Sequence, residues 1–163
     1  MSATLIHTAV TASPLDPAAA SAAITAGRTD IGALVSFAGL CRDEDGRLAA
    51  LELEHYPGMA EAEIARIATE AAARWPLQAL TVLHRHGLIA PGEVIVVVVA
   101  ASTHRHAAFE AAAFVMDFLK TRAPFWKKEH GRDGSVGGWV EARSADDVAE
   151  ARWAVGTTEA NDN

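Results

Sequence analysis

The 163-residue sequence has a single cysteine, Cys41, which excludes an internal disulfide and any thiolate-rich metal centre and fits a reducing compartment. Positive charge is in deficit: 14 Lys and Arg against 21 Asp and Glu leave a formal net charge of −7. A general nucleic-acid binder needs a surplus of cations to displace condensed counterions, so that class is excluded. Long apolar runs are also missing. The longest, Val94 to Ala101, falls far short of the roughly 20 residues a membrane helix needs, and no basic segment precedes an apolar stretch at the N-terminus. The chain therefore reads as cytosolic, with no membrane partner.

Lysine is scarce in an informative way. All three lysines, Lys120, Lys127 and Lys128, fall within nine consecutive residues, and basic charge elsewhere is carried by arginine. An acidic chain that gathers its lysines in one place has built either a local anion site or a solvated basic loop. What is abundant is alanine, 36 residues, within a hydrophobic fraction of 50%. That composition suits one globular domain, residues 1–163, with helices whose surfaces are largely alanine and a frayed tail from about 154.

Strands and helices alternate along the chain. Leu5 to Val10 reads as a strand, and Asp16 with Pro17 opens a helix that ends at Gly27. Ile31 to Leu40 and Leu48 to His55 read as strands around the polar loop Arg42 to Arg47, with Leu51 and Leu53 alternating with Glu52 and Glu54. Met59 to Trp75 has helical apolar spacing and stops at Pro76. Leu80 to His86 and Glu93 to Ala101 follow as strands across a turn at Pro91 and Gly92, the second buried on both faces. Ser102 or Thr103 caps the next helix, whose buried stripe is Phe109, Ala112, Met116 and Leu119 and which closes at Lys120 and Arg122 before Pro124. Phe125 to Glu129 and Gly138 to Glu141 are short strands, and Ser144 to Trp153 a polar helix. Hairpins mixed with crossover helices predict an α+β sandwich on a mixed or largely antiparallel sheet.

Four groups of residues carry potential chemistry. His104 and Arg105 open a helix, where two basic side chains oppose the dipole unless an anion is present; a phosphate there gains helix amides, a guanidinium and an imidazole donor. Lys120, Lys127, Lys128 and Glu129 surround Pro124, which can fold Lys127 back toward Lys120; paired, partly buried ammonium groups lower each other's pKa and become usable bases or nucleophiles. His84 to His86 and His104 to His106 form two His-Arg-His triplets, and a metal-dependent hydrolase built on them is one alternative. No His-Glu-x-x-His pattern or acidic cluster accompanies them, so no metal is assigned. Arg42, after the strand ending at Gly39, suits a phosphate, and Cys41 beside it is either a thiolate or inert packing. A non-enzymatic module that holds a phosphate or an acidic tail in the same basic groove is the other alternative.

The segments His84-Arg85-His86-Gly87, Pro91-Gly92-Glu93, Ser102-Thr103-His104-Arg105 with Ala108-Phe109-Glu110, Asp117-Phe118-Leu119-Lys120, Ala123-Pro124-Phe125-Trp126-Lys127-Lys128-Glu129 and Trp139-Val140 together resemble the family of molybdopterin synthase catalytic (large) subunits. Phe37-x-Gly39-x-x-Arg42 and Leu53-Glu54-His55-Tyr56-Pro57-Gly58-Met59 extend the similarity upstream, and residues 1 to about 30 match only loosely. The resemblance implies an α/β hammerhead fold with an extra small antiparallel sheet. It implies a sulfurtransferase of molybdenum cofactor biosynthesis that converts cyclic pyranopterin monophosphate, also called precursor Z, to the molybdopterin dithiolene. The implied partners are a small ubiquitin-like carrier ending in a Gly-Gly thiocarboxylate and a second large subunit, giving a homodimer within a heterotetramer. No cofactor is implied, because sulfur arrives on a protein. The substrate contacts carried over fall on Leu40, Cys41, Arg42, His104, Arg105, Lys120, Lys127, Lys128 and Glu129. Within that frame Arg42, His104 and Arg105 are expected at the phosphate and Lys120 as general acid/base. Lys127, oriented by Glu129, is expected at the carrier tail or substrate.

Overall fold

The computed structural model describes residues 3–122, 124–139 and 153–154. Its elements in chain order are β1 (Leu5–Thr11), α1 (Pro17–Thr25), β2 (Ala33–Leu40), β3 (Leu48–His55), α2 (Met59–Arg74), β4 (Leu77–Arg85), β5 (Gly87–Ile89), β6 (Val94–Ser102), α3 (Arg105–Thr121) and β7 (Phe125–Gly131). The β-branched run of β6 lies inside a four-stranded sheet ordered β1-β4-β6-β2, in which only the β1–β4 pair is parallel. Alternate side chains of β6 serve two cores, as a strand covered on both faces requires. Val96, Val98 and Ala100 meet α2 and α3, whereas Val97, Val99 and Ala101 meet Ile24 of α1. Phe114 of α3 is fully buried at the centre of the first core, edge-on to Trp75 and Trp153 at 5.3 and 5.6 Å between ring centroids.

Local chemistry sets the helix starts. Asp16 accepts from the Ala19 amide at 3.1 Å ahead of Pro17, and Glu61 reaches back to the Gly58 amide at 2.7 Å. Gly58 has φ +86°, a conformation that side chains disfavour. The second sheet, β5-β3-β7, is antiparallel and closes over Cys41, Leu48, Leu53 and Ile89. It sits where β2 ends and β6 begins, because the Cys41 amide donates to the Glu93 carbonyl at 2.9 Å and the Gly92 amide to the Cys41 carbonyl at 2.7 Å. The α+β architecture with a small extra antiparallel sheet is thus present. No helix among the described residues is long and apolar enough to cross a membrane.

Four details differ from the sequence expectations. Neither Ser102 nor Thr103 caps α3: Ser102 is buried and its hydroxyl donates to the Pro76 carbonyl at 2.7 Å, while Thr103 Oγ1 accepts from Gln78 at 2.8 Å. His104 takes the cap position without a side-chain bond to the helix. Phe109 does not belong to the buried stripe; it is 60% exposed, and Ala107, Ala108, Ala111, Phe114 and Val115 form that face instead. The helix is rotated because alanines let it approach the sheet more closely than a phenylalanine allows. Gly87–Ile89, which reads as part of a turn, pairs with Leu51 to Leu53 as β5. Gly138 and Trp139 lie outside any strand, and the rest of the expected strand to Glu141 falls outside the described residues. So does the expected helix from Ser144, apart from Trp153 and Ala154, which are helical.

Candidate functional site

Strand β7 carries most of the lysine motif, and its register with β3 assigns each side chain to a face. Phe125, Lys127 and Glu129 stand opposite His55, Leu53 and Leu51; Trp126 and Lys128 stand opposite Glu54 and Glu52. Directly opposed residues share a face of the sheet. Lys127 therefore lies on the same face as Phe125 and His55, and Lys128 lies on the other.

On the first face Phe125 stacks on His84 at 3.9 Å with the rings 16° apart. The ring series continues from Phe125 to His55 at 6.0 Å and from His55 to His86 at 4.5 Å. His84 is 9% exposed, and its Nδ1 lies 2.9 Å from the Arg85 carbonyl. Burial pushes its pKa down to about 4, and among neighbouring charges Lys120 presses hardest in the same direction. Lys120 lies in the last turn of α3, near enough for its charge to act on His84, and Lys127 stands two residues beyond Phe125 on the same face of β7. Pro124 turns the chain so that the lysine-bearing end of the helix and the lysine-bearing strand share one end of the molecule.

Around Glu54 and Trp126 of the second face, and reaching the strand end at His55 and Tyr56, a pocket of about 450 Å³ is lined by these four residues and Trp139. The Lys128 ammonium sits 4.3 Å from the Trp139 ring centroid, a cation–π contact. Sequence spacing marked Lys128 but not this aromatic wall; the signal was the period-two placement of Glu54 across from Trp126.

The remaining expected residues divide by position. Leu40, Cys41 and Arg42 lie at the end of β2, the same end as the small sheet. Leu40 is 52% exposed, and the Arg42 side chain is largely free of the protein, 3.4 Å from Glu44. Cys41 is buried, and burial, reinforced by the carboxylates of Glu93, Glu44 and Glu129, raises its thiol pKa. Such a thiol is a poor nucleophile. Glu129 pairs with Arg47 at 3.4 Å rather than orienting Lys127. His104 and Arg105 do not join this group within one chain. They are exposed at the opposite end of α3, 16 and 15 residues before Lys120, which at 1.5 Å per residue is about 23 Å along the helix. There Gly32 lets β2 approach so closely that a Cβ on it would stand 2.1 Å from the Thr103 carbonyl oxygen. The His-Arg-His triplets do not form a metal centre: no group of three or more His, Cys, Asp or Glu side chains is placed to hold an ion among the described residues.

With this geometry the chain matches the family model for the MoaE protein over residues 10–122. A molybdopterin synthase catalytic subunit from Mesorhizobium japonicum is 72% identical over 138 residues, covering 85% of this chain and 87% of that protein. The solved molybdopterin biosynthesis MoaE protein from Burkholderia ambifaria superposes with a TM-score of 0.76 at 46% identity, over 94% of this chain and 99% of its own. A complex of subunits 1 and 2 of molybdopterin-converting factor from Helicobacter pylori shares the fold, with a TM-score of 0.66 at 20% identity over 85% of this chain and 90% of its own.

Proposed function

The chain belongs to the MoaE family of molybdopterin synthase catalytic subunits, and from that premise we propose how its residues divide the work of moving sulfur onto cyclic pyranopterin monophosphate. The sulfur donor is a small carrier subunit whose C-terminal Gly-Gly thiocarboxylate enters beside Lys120 and Lys127. The observation that carries this reading is that Lys127 shares a face of β7 with Phe125, which stacks on His84, while the charge of Lys120 acts on the same His84. A phosphate and a thiocarboxylate are both anions, and bringing them within 4 Å costs about 4 kcal/mol at an effective dielectric near 20. Cations at that point offset the repulsion, and Lys120 is suitably placed to move a proton at the reacting carbon. Lys127 steadies the carrier tail. An extended tail ending in glycines is the shape that reaches a recessed centre without steric conflict.

Arg42 serves the phosphate from the same end of the molecule. His104 and Arg105, about 23 Å away along α3, serve it only if they come from a second copy of the chain. The active assembly is accordingly a homodimer in which each pocket takes its lysines from one copy and its helix-start cations from the other. A symmetric dimer repeats that exchange twice. The exposed Phe109, one turn from Arg105 and outside its own core, suits burial in that contact. With one carrier on each large subunit the complex is a heterotetramer.

The test is reconstitution: purified chain, thiocarboxylated carrier and cyclic pyranopterin monophosphate, assayed for molybdopterin. Dithiolene product that disappears when the carrier lacks its last two glycines supports the reading. Undiminished turnover with the truncated carrier, or binding of the phosphate substrate without turnover, contradicts it.

A further inference from the structure

The turn that presents His104 and Arg105 is fastened by a side chain that no step above uses. Strand β4 pairs with β6 through a register shift: Leu77 stands opposite Ser102 and Ala79 opposite Ala101, so Gln78 is an extra residue without a partner across that ladder. A bulge of this kind re-aims the side chain it carries. The Gln78 side-chain amide donates both to the Asp30 carbonyl and to Thr103 Oγ1, each at 2.8 Å. Only the NH2 end can donate to a backbone carbonyl, which fixes the orientation of the amide. Its Oε1 is then buried without a hydrogen-bond partner among the described residues. An unmet acceptor is destabilising, and the two donated bonds are what the chain gains from keeping an amide there.

We propose that Gln78 is a positioning residue for His104 and Arg105, holding the turn ahead of α3 so that both cations stand where a substrate phosphate binds. This rests on the functional reading of His104 and Arg105 given above. Thr103 directly precedes His104, so the bond to its hydroxyl acts one residue from the cations. The same amide reaches the segment ahead of β2, where the Gly32 amide donates to the Ser102 carbonyl at 3.0 Å. Gln78 therefore ties three pieces of chain together: the start of β4, the approach to β2 and the turn from β6 into α3. Both cations are exposed, and His104 makes no side-chain bond to the helix it caps, so their placement comes from the backbone beneath them. An apolar side chain of the same length would remove the orphaned oxygen but would leave Thr103 and Asp30 without their common donor.

The test compares Gln78→Met, which keeps the length of the side chain and removes both donors, with Thr103→Val, which keeps the side-chain shape and removes the acceptor. Two readouts are taken: kcat and KM for molybdopterin formation, and amide hydrogen exchange of the substrate-free protein, followed by mass spectrometry. Gln78→Met should raise KM for the pyranopterin about tenfold with kcat changed less than about threefold, the pattern of weakened binding rather than weakened chemistry. Exchange should quicken at the Gly32 amide and at Ala108 and Phe109, the first amides of α3 with partners inside the helix, while the last turn of α3 exchanges as in the wild type. Thr103→Val should move both readouts the same way but less far, because the bond to Asp30 remains. If Gln78→Met fails to fold, as read by circular dichroism, Thr103→Val carries the comparison and its KM must rise. An unchanged KM overturns the proposal, as does a loss borne by kcat instead. Exchange that matches the wild type at these amides, or that quickens equally along the whole chain, overturns it too. The exchange arm needs no turnover, so a protein that makes no molybdopterin refutes the functional reading while still deciding whether Gln78 holds the start of α3.

Discussion

Acid should destabilise this protein through one buried ring before its carboxylates titrate. His84 has a pKa of about 4 in the fold against an ordinary value of 6.5. Above pH 6.5 it is neutral whether folded or not and adds no pH dependence. As pH falls through 6.5 the unfolded chain takes a proton that the buried ring refuses. Stability therefore declines with a slope approaching about 1.4 kcal/mol per pH unit until the folded ring titrates near pH 4. Between pH 7.5 and 4.5 the accumulated loss is about 2.5 kcal/mol, a sizeable part of a typical domain's stability. His86, lowered chiefly by burial, acts in the same direction. The carboxyls of Asp30, Glu61, Glu63 and Asp133, held below their ordinary values by hydrogen bonds, lose their contribution mainly in more acid solution. The assay is urea unfolding of the wild type and of His84→Leu at half-unit pH steps across that window. The difference between the two stabilities should change by about 2.5 kcal/mol from one end to the other. Parallel stability curves would mean that His84 is not buried neutral, and the reasoning would fail.

Other outcomes follow from the site. Lys120→Ala and Lys127→Ala should each abolish most molybdopterin formation while shifting the unfolding free energy by no more than about 1 kcal/mol, checked by product assay and urea titration; loss of fold would contradict this. Cys41→Ala should leave turnover within about threefold, because the buried thiol is held protonated and sulfur arrives on the carrier. A Cys41→Ala protein that is folded but inactive would show that the thiol is needed. Gly32→Ala places a methyl against the Thr103 carbonyl and should cost about 1–3 kcal/mol by urea titration while displacing His104 and Arg105; an unchanged unfolding curve would show that the junction yields without strain.

How much of this was legible in the sequence depends on the scale of the signal. The period-two and period-3.6 patterns marked the main sheet and helices, since each buries a continuous apolar face, and the double burial of β6 was plain from its β-branched run. Strand β5 escaped because three residues are too few to show a period. Phe109 was misplaced because periodicity gives a helix's repeat but not its rotation when alanines surround one large residue. At the site, the lysine cluster was visible as a compositional anomaly. Its separation from His104 and Arg105 was not, because nearness in sequence hides the length of α3. Glu129 illustrates the same limit: its partner is Arg47, 82 residues away, and no local spacing points to it. The histidines of the first triplet were noticed as a metal possibility, whereas the structure uses His84 and His86 in a ring series with Phe125 and His55 that only the β3–β7 register creates.

The central claim, that one copy's lysines work with another copy's helix-start cations, is tested most directly by mixing two defective chains. Lys120→Ala and Arg105→Ala are each purified, shown by light scattering to be dimers, mixed one to one, allowed to exchange subunits and assayed for molybdopterin with the thiocarboxylated carrier. Half of the exchanged dimers pair unlike chains, and each such dimer has one pocket with both its lysine and its arginine intact. The account predicts recovery to about one quarter of wild-type activity from two nearly inactive proteins. No recovery, with mixed dimers demonstrated, would contradict it.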